Sequence, residues 1–134
     1  MATIKNCTDI EQSRKLAEIL PLESADMYYK YVLPKSNKIN HIPEIGNPKE
    51  ALEWYNKGYT HFGKEPLSLK EYCITCWSLT ALLDVLPKGT RLLKSTTDDT
   101  YHCDCPKENI DKWFDNPVDA CMAMIEKLNE LNLL

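Results

Sequence analysis

The stretch from Trp77 to Leu134 marks its own element boundaries, and those boundaries restrict the fold more than any other feature of the chain. Asn116-Pro117-Val118-Asp119 combines three helix-start signals: an N-cap side chain, a proline whose missing N–H costs nothing in the first turn, and an acid at N3. Val118, Cys121, Met122, Ile125 and Leu128 then recur at helical spacing, so a helix is predicted over 117–129, with Lys127 suited to its negative end. A second helix is predicted over 79–86. Ser78 caps it, Leu79, Leu82, Leu83 and Leu86 follow the i, i+3, i+4, i+7 template, and Pro87 stops it.

Between these helices the period changes. Lys88-Gly89 makes a turn, 90–96 reads as a strand, Thr97 to Thr100 as a second turn, and 101–105 as the returning strand, ended by Pro106. Alternation assigns Tyr101, Cys103 and Cys105 to the inner face and His102 and Asp104 to the solvent face. Trp113-Phe114 supplies either a short third strand or an apolar plug.

Upstream, Thr8 and Glu11 have capping-box spacing, which predicts a helix over 9–19 with Ile10, Leu16, Ala17 and Leu20 on one face and Pro21 as its stop. Ser24 is placed as the cap of a short turn through Ala25 and Asp26. The aromatic run from Met27 to Leu33 suits a strand or a helix end, and 35–47, with Pro43 and Gly46, reads as loop. Asn47-Pro48 opens a helix over 48–57 with Gly58 as its left-handed stop, and Ser68 opens a short helix carrying Tyr72 and Cys73.

The fold class predicted is α+β: a small antiparallel β-sheet of two or three strands, 90–96 and 101–105 at its centre, packed against several helices. One domain, 1–134, is expected, with a helical N-terminal half over 8–76 and a helix–hairpin–helix half over 77–134. Its core should contain Leu79, Leu82, Leu83, Leu86, Leu92, Cys103, Val118, Cys121, Ile125 and Leu128. At 134 residues such a chain buries roughly two-thirds of its unfolded surface, enough for a core without covalent staples.

Charge and segment patterning bound the partners. A net charge of −4 argues against a general polyanion binder, because phosphate affinity rests on clustered Lys and Arg. MATIKNCTDIEQSRK lacks a basic segment followed by an apolar run, no apolar stretch approaches the ~18 residues of a membrane helix, and no lipidation signal stands out. A cytoplasmic protein with no membrane partner is expected. Its six cysteines are then thiols or metal ligands, not disulfides.

Two constellations carry chemistry on paper. Cys73-Ile74-Thr75-Cys76 followed by His102-Cys103-Asp104-Cys105 would supply Zn²⁺ with Cys73, Cys76, Cys103 and Cys105, or His102 in place of one thiolate. A one-residue gap on a regular strand, however, holds Cys103 and Cys105 about 6–7 Å apart and turns His102 to the other face. Buried thiols on a strand and a helix stripe account for the same residues, so no metal is the preferred expectation and zinc the alternative. Tyr28-Tyr29-Lys30-Tyr31, with Lys35 and Lys38, interleaves rings and cations in the manner of single-stranded nucleic-acid binders, but buried rings with wet hydroxyls explain it more simply. His41, His61 and His102 have no spacing that ties them to a nucleophile, and there is no phosphate loop, HExxH or GxSxG, so no catalytic residue is assigned.

QSRKLAEIL, SADMYY, WSLTALLDVLP and NPVDACMAMIEKLNELNLL together resemble small uncharacterised proteins of anaerobic gut bacteria and their phages or prophages. The resemblance spans most of the chain with gaps and rests on caps, leucine stripes and a Trp-Ser helix start. It implies an accessory role in a mobile element and carries over no catalytic residue. The expectation that follows is a non-enzymatic protein interaction module, acting on a protein partner or by self-association.

Overall fold

The computed structural model describes residues 5–32, 40–61 and 73–134. The fold is α+β, as predicted, with four α-helices and two small antiparallel sheets among the described residues. The chain divides into two compact units: one is built from the N-terminal segment up to Thr8 together with Ser78–Leu134, the other from Asp9–Trp77.

The Asp9–Trp77 unit opens with α1 (Ile10–Ile19). Its capping box is real but lies one residue later than Thr8–Glu11: the Asp9 carboxylate accepts from the Gln12 N–H at 2.7 Å, and the Asp9 N–H donates to Gln12 Oε1 at 3.2 Å. Thr8 is fully buried and Gln12 offers the same acceptor as a glutamate, which shifts the cap. α1 buries Ser13 and Leu16, and Leu20 follows them inward; Ala17, predicted for that face, is exposed. Ser24 caps nothing. It ends a short 3-10 turn, Leu22–Ser24, donating its hydroxyl to the Pro21 carbonyl and accepting from the Trp77 indole N–H at 2.9 Å.

The half predicted as helical contains a three-stranded sheet, ordered β2-β1-β3. The aromatic run is β1 (Met27–Val32), and the predicted loop contains β2 (Asn40–Ile45), paired from Met27↔Ile45 to Val32↔Asn40. Pro43 misled because a proline argues against a ladder. Gly46 N–H donates to the Asp26 carbonyl in the same register, so hydrogen-bonded pairs fall at even positions of β1, and Pro43, opposite Tyr29, lies between them with its nitrogen turned away from β1. Gly46 leaves the strand at φ +152, and a Cβ there would meet the Tyr28 ring at 3.2 Å.

α2 (Pro48–His61) starts as predicted, with Asn47 Oδ1 accepting from the Lys49 and Glu50 amides at 2.9 and 3.1 Å. It runs past Gly58, which is tolerated inside a helix at about 1 kcal/mol. The predicted start of a helix at Ser68, with Tyr72, lies outside the described residues. Cys73 itself begins a strand, β3 (Cys73–Cys76), in which β-branched Ile74 and Thr75 favour extension, and all four residues are buried.

The other unit follows the sequence more closely. Ser78 Oγ accepts from the Ala81 N–H at 3.2 Å and starts α3 (Leu79–Val85), with Leu82 and Leu86 buried and Leu79 and Leu83 half-buried. The strand predicted over 90–96 is the shorter β4 (Arg91–Lys94), paired with β5 (Tyr101–Cys105) from Arg91↔Asp104 to Lys94↔Tyr101. Leu92 is half-buried, less than a core residue. Gly89 turns into β4 at φ +87, where a Cβ would lie 2.9 Å from Pro106 Cγ.

Pro106 does not end the pairing. Pro106-Lys107 forms a tight turn into β6 (Glu108–Asn109), the third strand, with Cys105 opposite Glu108. Phe114 instead makes a single bridge with Tyr101. Asn116 caps α4 (Pro117–Glu130), accepting from the Asp119 N–H at 2.8 Å and donating its amide to Asp119 Oδ2 at 2.9 Å, while Lys5 Nζ reaches Asp119 Oδ1 at 3.0 Å. α4 lies against β5 and α3 and buries Val118, Cys121, Met122, Met124, Ile125 and Leu128. The N-terminal segment joins this unit through the Cys7↔Ser78 bridge and the Leu79 N–H, which donates to the Asn6 carbonyl at 3.0 Å.

Candidate functional site

The residues singled out for zinc divide between the two units. Cys73 and Cys76 are on β3, His102, Cys103 and Cys105 on β5. Among the described residues no three His, Cys, Asp or Glu side chains form a group able to hold a metal ion. All six cysteines are free and buried. Cys73 Sγ donates to the Pro48 carbonyl at 3.7 Å, and burial pushes its thiol up to about 11, so it is protonated and unreactive at neutral pH.

His102 corrects the simple reading of alternation. It lies opposite the inner face, as predicted, yet it is 8% exposed because the chain after β6 folds over it. Its Nε2 bonds the Ile110 carbonyl at 2.8 Å, and its ring lies against Trp113, centroids 5.1 Å apart at 33°. A histidine used this way positions a loop. Asp104, on the same face, takes both oxygens to Arg91 across the strand pair, at 3.2 and 3.0 Å. It is the partner of a bidentate ion pair.

The inner face of β5 meets α4 sulfur to sulfur. Cys105 Sγ donates to Met124 Sδ at 3.8 Å. Cys103 and Cys121 hydrogen-bond to each other, and the pair splits: the bond from Cys121 holds the Cys103 thiol below its ordinary value, while the same bond raises Cys121, with burial adding to the rise. The helical stripe and the strand alternation each assign one of these residues to the core but do not join them. The signal was present, because the inner face of the strand and the buried stripe of the helix each carried a cysteine.

In the candidate nucleic-acid segment, Tyr28 and Lys30 share one face of β1 and Tyr29 takes the other, where it is buried. Neighbouring tyrosines on a strand cannot form one stacking platform. Lys35 and Lys38, and the side chains of Tyr31, His41 and His61, lie outside the described residues. Along α1 and β3 runs a groove of about 550 Å³, with Leu20, Ile74 and Trp77 at its floor and Arg14 and Glu18 at its rim. Asp98, a carboxylate of the β4–β5 turn, is held below its ordinary range mainly by the Thr100 hydroxyl and amide, which is a turn function.

No family model, curated protein or solved structure matches the chain. Among the described residues no helix is long and apolar enough to cross a membrane.

Proposed function

We propose that the chain is a non-enzymatic protein–protein interaction module, with the accessory role that its resemblance to phage and prophage proteins implies. One observation carries the reading. The edge strand β2 presents Ile42 and Ile45 to solvent, 49% and 86% exposed. Ile42, opposite Lys30, and Ile45, opposite Met27, lie on the two faces of β2, so a partner that covers both must wrap around this strand, and burying each isoleucine is worth about 1.5–3 kcal/mol. Pro43 removes one outward N–H from this edge, which disfavours strand addition along its full length and favours docking through side chains. Titratable groups support the reading from the other side: Asp104 and His102 are each held in fixed structural bonds.

The test has two arms. Light scattering over a concentration series reads self-association, and a photo-crosslinking side chain at position 45 reads a different protein partner in cells. The expected result is a concentration-dependent rise in mass, or one dominant adduct, abolished in either case by Ile42→Asp. A strictly monomeric chain that yields no specific adduct at position 45 overturns the proposal.

A further inference from the structure

We propose that Cys103 and Cys121 form a reversible disulfide that clamps β5 to α4. Geometry carries the pairing. Cys105 Sγ touches Met124 Sδ at 3.8 Å, which fixes how strand and helix face each other. Cys103 precedes Cys105 by two residues on the same strand face, about 6–7 Å away. Cys121 precedes Met124 by three residues on the same helix face, about 4.5 Å along its axis. Phe114 bridges Tyr101 just before α4 begins, so α4 runs from the Tyr101 end of β5 toward Cys105, and Cys103 and Cys121 occupy the next rung, 2% and 0% exposed.

The pair is also chemically asymmetric. Cys103 is the better thiolate because Cys121 donates a hydrogen bond to it, and Cys121 retains its proton. With a low-molecular-weight disulfide such as oxidised glutathione, the Cys103 thiolate attacks one sulfur, forms a mixed disulfide and expels one thiolate. Cys121 then loses its proton to that leaving thiolate and attacks Cys103 Sγ, releasing the second thiol. The balance is two protein thiols and one small disulfide in, one protein disulfide and two small thiols out. Because both sulfurs are buried, the reagent reaches them only in a locally opened state, so exchange is slow under native conditions.

The experiment treats the native full chain with oxidised glutathione, alkylates the remaining thiols in denaturant and maps the peptides by mass. The expected product is a Cys103–Cys121 linkage lighter by two hydrogens, with Cys7, Cys73, Cys76 and Cys105 alkylated, and a higher thermal midpoint that a dithiol reductant reverses. In Cys121→Ala the expected product is a persistent glutathione adduct on Cys103. Full alkylation of all six cysteines in the wild type, or a dominant linkage between any other two, overturns the proposal. The wild-type map decides even if the variant fails to fold.

Discussion

A buried thiol is a proton held in place by packing. Cys73, pressed against the Pro48 carbonyl, keeps its proton up to about 11 against an ordinary 9.0. The folded-state value lies above the unfolded one, so the stabilisation is complete below pH 9.0 and is lost as pH rises through about 11. The urea midpoint should therefore fall across that interval, and Cys73→Ala should make the fall shallower. An alkaline slope identical in wild type and variant would count against this account. Cys121, raised in the same sense, leaves part of the slope in the variant. Residues of this kind were half legible in the sequence. Alternation gave Cys103 and His102 their correct opposite faces, but a face is not an environment. His102 became buried because the chain near Ile110 and Trp113 returns over it, and no local period encodes that return.

At the scale of elements, boundaries were legible where a side chain closes an orphan backbone group. Asn116, Ser78 and Asn47 all cap the helices expected of them. Asn116 does more than cap, since its amide also holds Asp119, which in turn receives Lys5. Asn116→Ala should lower stability in chemical denaturation by about 1 kcal/mol, with Asn116→Ser recovering most of the loss. Equal stability of the alanine variant and the wild type would show that the cap is replaceable by water. Strands were less legible, and prolines are the reason. In the sequence, Pro43 and Pro106 both look like interruptions. One occupies an edge position where its nitrogen owes no bond to β1, and the other turns β5 directly into β6. Whether a proline breaks a ladder depends on which neighbour the ladder has, and that neighbour is set by tertiary pairing. Cys73-Ile74-Thr75-Cys76 failed for a related reason: four residues are too few to show a period, and burial on both faces erases alternation.

For the whole molecule, the informative fact is that one unit is made from both sides of the other in sequence. Asn6 and Cys7 pair with Leu79 and Ser78, and Lys5 reaches Asp119, although 9–77 lies between them in the chain. A chain beginning at Thr8 should therefore lose hydrogen-exchange protection at Leu79 and around the start of α4, and keep it across β1, β2 and β3. Loss concentrated in those three strands instead would contradict the division. The same arrangement imposes an order on synthesis. Lys5, Asn6 and Cys7 are made early, but Asp119 is separated from Lys5 by 114 positions and must be translated before that contact exists. By then every residue from Asp9 to Trp77 has been available to fold, so the inserted half is completed while its host still waits for its last helix.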